Sequence, residues 1–121
     1  MAAVKRLLTK PVRSELEELS TLLRLLGEPR RLHIVRLLMQ REMCVCEILP
    51  ELGISQPLSS HHIGVLTKAG LIQPRRDAQR IFYSIVPEQL ARLRELFEAH
   101  LDVAQLAPAA AYGEGTALCP S

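Results

Sequence analysis

The residues "GIS" form the whole gap between two stretches with helical patterns, and this short gap limits the fold more than any other feature of the sequence. The first pattern predicts a helix over residues 45–52, ended by Gly53, because glycine readily closes helices in a left-handed conformation. The second predicts a helix over residues 56–69, capped at its start by Ser55. Two helices joined by a short turn with glycine are typical of a helix-turn-helix.

Two further helices are predicted before this pair. Ser14 and Glu17 have the spacing of a capping box, and the leucines that follow recur at three- and four-residue steps up to Gly27. Pro29 suits the first turn of the next helix, whose apolar period continues to about Gln40. Both helices are amphipathic, so we expect each to bury one face in a shared core.

After Gly70 the pattern changes to "LIQPRRDAQRIFYSIV". Two short runs rich in β-branched and aromatic residues flank the turn-like residues 76–78 and predict a β-hairpin. Residues 87–103 return to a helical period that begins near Pro87. The predicted fold is mainly α with a small β-hairpin. It is a winged helix-turn-helix in which four helices are followed by the hairpin and then by a fifth helix.

The composition is that of one globular domain. Hydrophobic residues make up 48% of the 121 residues, and 15 basic side chains accompany 13 acidic ones, which excludes a disordered or collagen-like chain. We expect an N-terminal arm over residues 1–13, the winged domain over 14–103 and a flexible tail over 104–121. Because no apolar run could span a bilayer and no secretory signal is evident, we expect a cytoplasmic protein with no membrane partner.

Polar side chains at the start of the predicted helix 56–69 favour DNA recognition. In a helix-turn-helix, the N-terminal residues of the second helix meet base edges in the major groove. Glutamine can bond adenine, and serine and histidine can contact bases or phosphates. Arginines of the hairpin could hold the adjacent backbone or minor groove. The predicted DNA-binding residues are Gln56, Ser59, Ser60, His61, His62, Arg75, Arg76 and Arg80.

Four segments together resemble the ArsR/SmtB family of metal-responsive bacterial repressors: "LLGEPRRLHIVRLL", "EMCVCEIL", "ISQPLSSHHIGVLTKAGLI" and "RRDAQRIFYSI". The resemblance covers about residues 15–103. It implies a homodimer paired through its first and last helices, which binds double-stranded operator DNA with dyad symmetry and is released by an inducer ion. Two recognition helices about 34–36 Å apart, one turn of DNA, would match such an operator.

The thiols of "CVC", Cys44 and Cys46, belong to the same resemblance, since this position binds arsenite, antimonite, cadmium or lead in several family members. Thiolates are soft ligands that select thiophilic ions, and a helix N-terminus favours the thiolate. We expect As(III) or Sb(III) as the inducer, with Cd(II) or Pb(II) as alternatives. The odd cysteine count and the C-x-C spacing favour free thiols or metal ligands over a structural disulfide.

In a regular helix Cys44 and Cys46 would differ by about 200° in azimuth and face apart. Chelation by both therefore favours unwinding of the first turn, which could change the spacing or tilt of the DNA-reading helices. Many arsenic sensors of this family read C-x-C-x-x-C, but the third position here is Leu49. The remaining cysteine, Cys119, could reach the site of either subunit on a flexible tail, or could have no role.

Two alternatives stay open at this point. The cysteines could form a redox or persulfide switch in the same repressor, or the winged helix could be a protein-interaction module without DNA. An enzyme such as a small thiol oxidoreductase is not expected, because redox pairs usually read C-x-x-C beside a βαβ unit. An interfacial zinc site is not expected either, since the last predicted helix offers His100 alone.

Overall fold

The computed structural model describes residues 10–108. Five α-helices and a three-stranded antiparallel sheet form one layered domain, and the elements follow one another in a fixed order. They are α1 (Lys10–Leu26), α2 (Pro29–Leu38), β1 (Met43–Cys44), α3 (Val45–Leu52), α4 (Gln56–Lys68), β2 (Ile72–Asp77), β3 (Arg80–Ile85) and α5 (Pro87–Leu101), followed by a 3₁₀ turn, Val103–Gln105.

The predicted helix-turn-helix is confirmed in position and in its end signals. Helix α3 ends at Leu52 and is capped by Gly53, whose φ of +63° lies in the left-handed region that favours glycine. Helix α4 begins after Ser55, whose hydroxyl accepts a hydrogen bond from the backbone N–H of Leu58 at 3.3 Å. The three residues between the helices therefore close one helix and cap the next, as the sequence pattern predicts.

The predicted capping box at Ser14 is wrong. Helix α1 already begins at Lys10, so Ser14 lies inside the helix. Local spacing is a weak guide here because packing against the rest of the domain, rather than one cap, supplies most helical stability. Three side-chain contacts join α1 to α5: the Arg92 guanidinium donates to both Glu18 carboxylate oxygens at 2.9 and 3.0 Å and lies 4.0 Å from Glu15, and His100 Nε2 lies 2.8 Å from Glu15.

The hairpin is confirmed, but its turn and its partner strand differ from the prediction. The turn residues are Ala78 and Gln79, because β2 continues through Asp77, which pairs with Arg80. The two-residue strand β1 adds a third strand beside β3, in the order β1-β3-β2. A strand of two residues shows no period of its own, so no pattern in the sequence predicts it.

One apolar core lies between the helices and the sheet. Helix α1 contributes the buried Leu19 and Leu22, and the largest fully buried side chains come from α2, α3, α4, α5, β2 and the residue before β2. They are Ile34, Ile48, Leu66, Leu71, Ile72 and Leu96. This core fixes α4 against α2 and α3 while one face of α4 stays exposed to solvent.

Candidate thiol site and DNA-reading face

Cys44 and Cys46 lie at the junction of β1 and α3. Cys44 is the last residue of β1 and the N-cap of α3, with extended dihedral angles of −80° and 161°, whereas Cys46 lies in the first helical turn. Their Cα atoms are 5.3 Å apart and their sulfur atoms are joined in a disulfide. The expectation that the two side chains would face apart on a regular helix does not apply here, because Cys44 is an extended N-cap and does not follow the helical azimuth.

The same finding corrects two related expectations. Because the two sulfur atoms already meet at the strand-to-helix junction, a ligand shared by Cys44 and Cys46 does not require unwinding of α3. The C-x-C spacing also permits a disulfide here, since a Cα separation of 5.3 Å lies within the usual range for bonded cysteines.

Glu47 holds the start of α3 in place. One of its carboxylate oxygens accepts a hydrogen bond from the backbone N–H of Cys44 at 3.0 Å, and the other accepts one from the Arg41 guanidinium at 2.7 Å. The hydrogen bond from Arg41, with that from the backbone of Cys44, lowers the pKa of Glu47 below its ordinary value. Glu47 is therefore a carboxylate already engaged by two donors rather than an open ligand.

A pocket of about 260 Å³ opens beside the two cysteines. Cys44 is only 2% exposed whereas Cys46 is exposed, so access to the pair runs along the Cys46 side. The other residues that line the pocket are Val45 from α3 and Gln79, Arg80 and Ile81 from the wing.

Two soft sulfur donors suit a thiophilic ion, as the prediction requires. Within residues 10–108 no group of three or more His, Cys, Asp or Glu side chains is placed to hold a metal ion. The predicted third ligand, Cys119, lies outside the described residues.

The thiol site is tied to the wing, the hairpin of β2 and β3. In the β1–β3 pairing Cys44 lies opposite Phe82 and Met43 opposite Tyr83. Next to β1, the Glu42 carboxylate accepts two hydrogen bonds from Arg75 of β2, at 2.6 and 3.0 Å, and the Arg75 guanidinium lies 5.0 Å from the centre of the Phe82 ring. The hydrogen bond from Arg75 lowers the pKa of Glu42.

Helix α4 exposes one polar face. Its exposed residues are Gln56, Pro57, Leu58, Ser60, His61, Gly64 and Lys68. Four of them, Gln56, Ser60, Gly64 and Lys68, recur at four-residue steps and so form one stripe along the helix. The prediction missed Gly64 and Lys68, although this spacing from Gln56 and Ser60 would have placed them on the same face.

Ser59 and His62 need correction as predicted DNA contacts. Ser59 is 0% exposed and His62 is 5% exposed, so neither side chain is available on the outer face of α4. Both share the helical stripe of Ile63 and Leu66, which packs into the core. Polar residue type predicted a DNA contact, while their spacing from these apolar residues indicated burial.

His62 connects α4 to the start of α2. Its Nδ1 accepts a hydrogen bond from the Arg31 guanidinium at 3.3 Å, which places the proton of the neutral ring on Nε2. Nε2 lies 3.4 Å from the carboxylate of Glu28, the N-cap of α2, without hydrogen-bonding geometry. Burial lowers the pKa of His62, Glu28 opposes this, and Arg31, His61 and Arg30 lower it further.

The three predicted wing arginines differ in their surroundings. Arg75 is held by Glu42 and Phe82, so it would have to leave both to contact DNA. Arg76 and Arg80 are exposed, and no ion pair of theirs occurs within the described part of the chain. Because their strand partners are Ile81 and Asp77, these two side chains project from opposite faces of the hairpin.

Comparison with known proteins agrees with this architecture. The family model described as bacterial regulatory protein, arsR family, matches residues 28–73. A biofilm growth-associated repressor from Agrobacterium fabrum is 40% identical over 82 residues, 68% of this chain and 70% of the relative. The chain belongs to the ArsR/SmtB family of transcriptional repressors. An arsenical resistance operon repressor from Staphylococcus xylosus is 38% identical over 74 residues, 61% of this chain and 71% of the relative.

Solved structures extend the similarity to the fold. A crystal structure of a possible transcriptional regulator for arsenical resistance has 38% identity and a TM-score of 0.60, covering 64% of this chain and 80% of that chain. A solution structure of a homodimeric winged helix-turn-helix domain from Mycobacterium bovis has 30% identity and a TM-score of 0.60, covering 75% and 84%. The predicted family and fold are confirmed, and a chain of this family is a regulator rather than an enzyme.

None of the helices in residues 10–108 is long and apolar enough to cross a membrane.

The buried His62 predicts a loss of stability in mild acid. Its pKa in the folded chain lies below the ordinary value of 6.5, so the unfolded chain takes up a proton first as the pH falls. We therefore expect the midpoint of thermal unfolding to drop between about pH 7.5 and about pH 5.5. His62→Gln should reduce this drop, and the exposed neighbour variant His61→Gln should retain it. Equal drops in the wild type and His62→Gln would contradict the assignment.

Proposed function

We propose that this chain binds operator DNA as a homodimer and is released when a thiophilic metal(loid) binds its cysteine thiolates. The proposed inducer is As(III) or Sb(III), with Cd(II) or Pb(II) as weaker candidates, and the proposed ligands are Cys44, Cys46 and Cys119. The observation that carries this proposal is that the sulfur atoms of Cys44 and Cys46 lie together at the junction of β1 and α3, where β1 pairs with strand β3 of the wing. The similarity to an arsenical resistance operon repressor supports the choice of arsenic.

The exposed face of α4 is proposed to read the major groove. Gln56, Ser60 and His61 lie in its first two turns with exposed side chains, where a recognition helix meets base edges. Lys68 at the other end of the helix and the wing residues Arg76 and Arg80 are proposed to contact phosphates. A chain with this role acts where the DNA lies, in the cytoplasm of a bacterial cell.

The proposed dimer interface lies on α1 and α5. Large apolar side chains of both helices are exposed in the single chain, and a groove between them is lined mostly by leucine and phenylalanine. The exposed members are Leu16, Leu23, Phe97 and Leu101. Exposed apolar patches of this kind are typical of protein interfaces, and the Mycobacterium bovis neighbour described as homodimeric supports pairing of two copies.

The proposed coupling runs from the thiols to the wing. Cys44 pairs with Phe82 of β3, and the Phe82 ring lies beneath the Arg75 guanidinium. A ligand bound to Cys44 would therefore disturb a residue that is joined to the wing by this pairing. Displacement of β1 would therefore move β3 and strain the Glu42–Arg75 ion pair, which changes the position of the arginines that hold DNA. This route replaces the predicted unwinding of α3 as the proposed mechanism.

A second candidate function keeps the DNA site and makes the thiol pair a redox switch. The observation that favours it is the Cys44–Cys46 disulfide at the same junction. Oxidation removes two protons and two electrons from the thiols and joins them, so an oxidant would act on β1 without any bound ion. Operator binding that persists under oxidants while arsenite releases it would exclude this candidate.

Arg80 and Gln56 are expected to affect DNA binding differently. Arg80→Ala removes a phosphate contact, so binding should weaken on all DNA sequences. The slope of log affinity against log salt concentration should become shallower by about one released counterion. Gln56→Ala removes a base contact, which should cost about 1–3 kcal/mol on the operator and little on random DNA. Fluorescence anisotropy over a salt series measures both effects. Arg36→Ala, an exposed substitution on α2, should bind as the wild type does; wild-type binding by Arg80→Ala and Gln56→Ala would contradict the proposed face.

The three cysteines are expected to rank unequally in inducer response. Cys44→Ser and Cys46→Ser each remove half of the described sulfur pair, so arsenite should no longer release operator DNA in a mobility-shift titration. Cys119→Ser should weaken the response less, because the pair at the junction remains intact. Equal and complete losses in all three variants would show that the ranking is wrong, and release of Cys44→Ser at wild-type arsenite concentrations would contradict the proposed site.

A further inference from the structure

One side chain, that of Arg31 in the first turn of α2, is hydrogen-bonded to two other helices. Its Nε donates to the backbone carbonyl of Leu25 in the last turn of α1 at 2.6 Å, and its Nη1 donates to Nδ1 of His62 in α4 at 3.3 Å. A carbonyl in the last turn of a helix has no partner within that helix, so the guanidinium satisfies it. Arg31 therefore joins α1 to α4.

The His62 ring lies between two side chains from the start of α2. Arg31 contacts its Nδ1, and the Glu28 carboxylate lies 3.4 Å from its Nε2, which makes no hydrogen bond within residues 10–108. The ring is buried on the side of α4 opposite the exposed stripe that contains Gln56 and Ser60. These contacts therefore hold α4 from behind and leave its outer face open.

This inference rests on the proposed function, in which α1 lies at the dimer interface and α4 reads the major groove. Two recognition helices fit two half-sites only at a matching separation and tilt. Both quantities depend on how each α4 is held against α1 of its own subunit. We propose that Arg31 is a positioning residue, which fixes α4 relative to α1 through the Leu25 carbonyl and the His62 ring, and so sets the half-site spacing that the dimer accepts.

The two hydrogen bonds depend on the shape of the guanidinium. Its nitrogen donors are spaced rigidly in one plane, so a single group reaches the Leu25 carbonyl and the His62 ring at once. A lysine ammonium carries the same charge at one point, so Arg31→Lys keeps the charge but loosens the connection. Arg30, the neighbouring residue, is exposed and its guanidinium donates to Glu28 at 3.2 Å. Arg30→Lys is therefore a matched control.

Protonation of His62 would break the connection at its α4 end. Nδ1 accepts from Arg31 only while the ring is neutral, because both nitrogens of an imidazolium are donors. Two donors would then face each other, and the Glu28 carboxylate would attract the ring. The charged or titratable groups that act on the ring are Glu28, Arg30 and Arg31 from the start of α2 and His61 from α4. Burial lowers the pKa of His62 below 6.5, so the connection persists at neutral pH.

The test measures binding of the reduced dimer to two duplexes by fluorescence anisotropy. One is an operator that the wild type selects from a random-sequence library, and the other carries one extra base pair between its half-sites, which separates them by about 3.4 Å more. The ratio of the two affinities is the spacing selectivity. At about pH 7.5 it should fall at least about fivefold in Arg31→Lys and stay within about twofold of the wild type in Arg30→Lys. Wild-type spacing selectivity in Arg31→Lys would overturn the proposal.

A pH series tests the His62 end of the connection separately, at a temperature where circular dichroism shows folded protein throughout. From about pH 7.5 to about pH 5.5 the spacing selectivity of the wild type should fall as His62 takes up a proton. His62→Asn keeps an acceptor oxygen near the position of Nδ1 and does not titrate, so its spacing selectivity should stay near the wild-type value at about pH 7.5.

Equal falls in the wild type and His62→Asn would overturn the proposal while leaving the proposed function intact. This comparison does not depend on the folding of Arg31→Lys. A wild-type dimer that selects no sequence from the library would overturn the proposed function, and the positioning role with it.

Discussion

The pairing of Cys44 with Phe82 joins the two cysteines to both the wing and the helix-turn-helix. Through β1 the thiol junction belongs to the sheet that forms the wing, and through the N-cap of α3 it belongs to the helix-turn-helix. The two residues of β1 are enough to make this connection, because Cys44 is buried and its backbone N–H donates a hydrogen bond to Glu47. In the proposed coupling, a change at either sulfur atom therefore acts on the wing and on the start of α3.

The charged side chains around this junction are already paired. Glu42 holds Arg75 of the wing and Glu47 holds Arg41, whereas Arg76 and Arg80 are exposed and have no ion pair within residues 10–108. Exposed ion pairs each contribute little to stability. Their geometry is nevertheless specific, because the bidentate guanidinium–carboxylate contact of Arg75 with Glu42 ties β2 to the residue before β1.

Residues with strong local preferences made most of the fold predictable from the sequence. Gly53 and Ser55 determine where α3 ends and α4 begins, and Pro29 and Pro87 start their helices in the predicted way. The capping box at Ser14 failed because that residue lies within a longer helix whose packing against α5 outweighs a local cap.

The site was only partly predictable. Side-chain type predicts DNA contacts by Gln56, Ser60 and Arg80, and the structure leaves these three side chains exposed. The burial of Ser59 and His62 was not predicted, because it depends on contacts with distant elements, such as Glu28 and Arg31 for His62. The geometry of the cysteines depends on β1, whose partner strand lies almost forty residues away in the sequence and leaves no periodic signal. Long-range strand pairing of this kind cannot be read from local patterns.

Amide hydrogen exchange of the reduced, operator-binding dimer, measured with and without arsenite, tests the coupling through β1 most directly. If the thiol junction acts on the wing, exchange at the β3 amides near Phe82 and Tyr83 should change on binding, while the core amide of Leu96 in α5 should not. An unchanged β3 together with altered exchange confined to α3 and α4 would contradict this account, because the signal would then pass through the helix-turn-helix and not through the sheet.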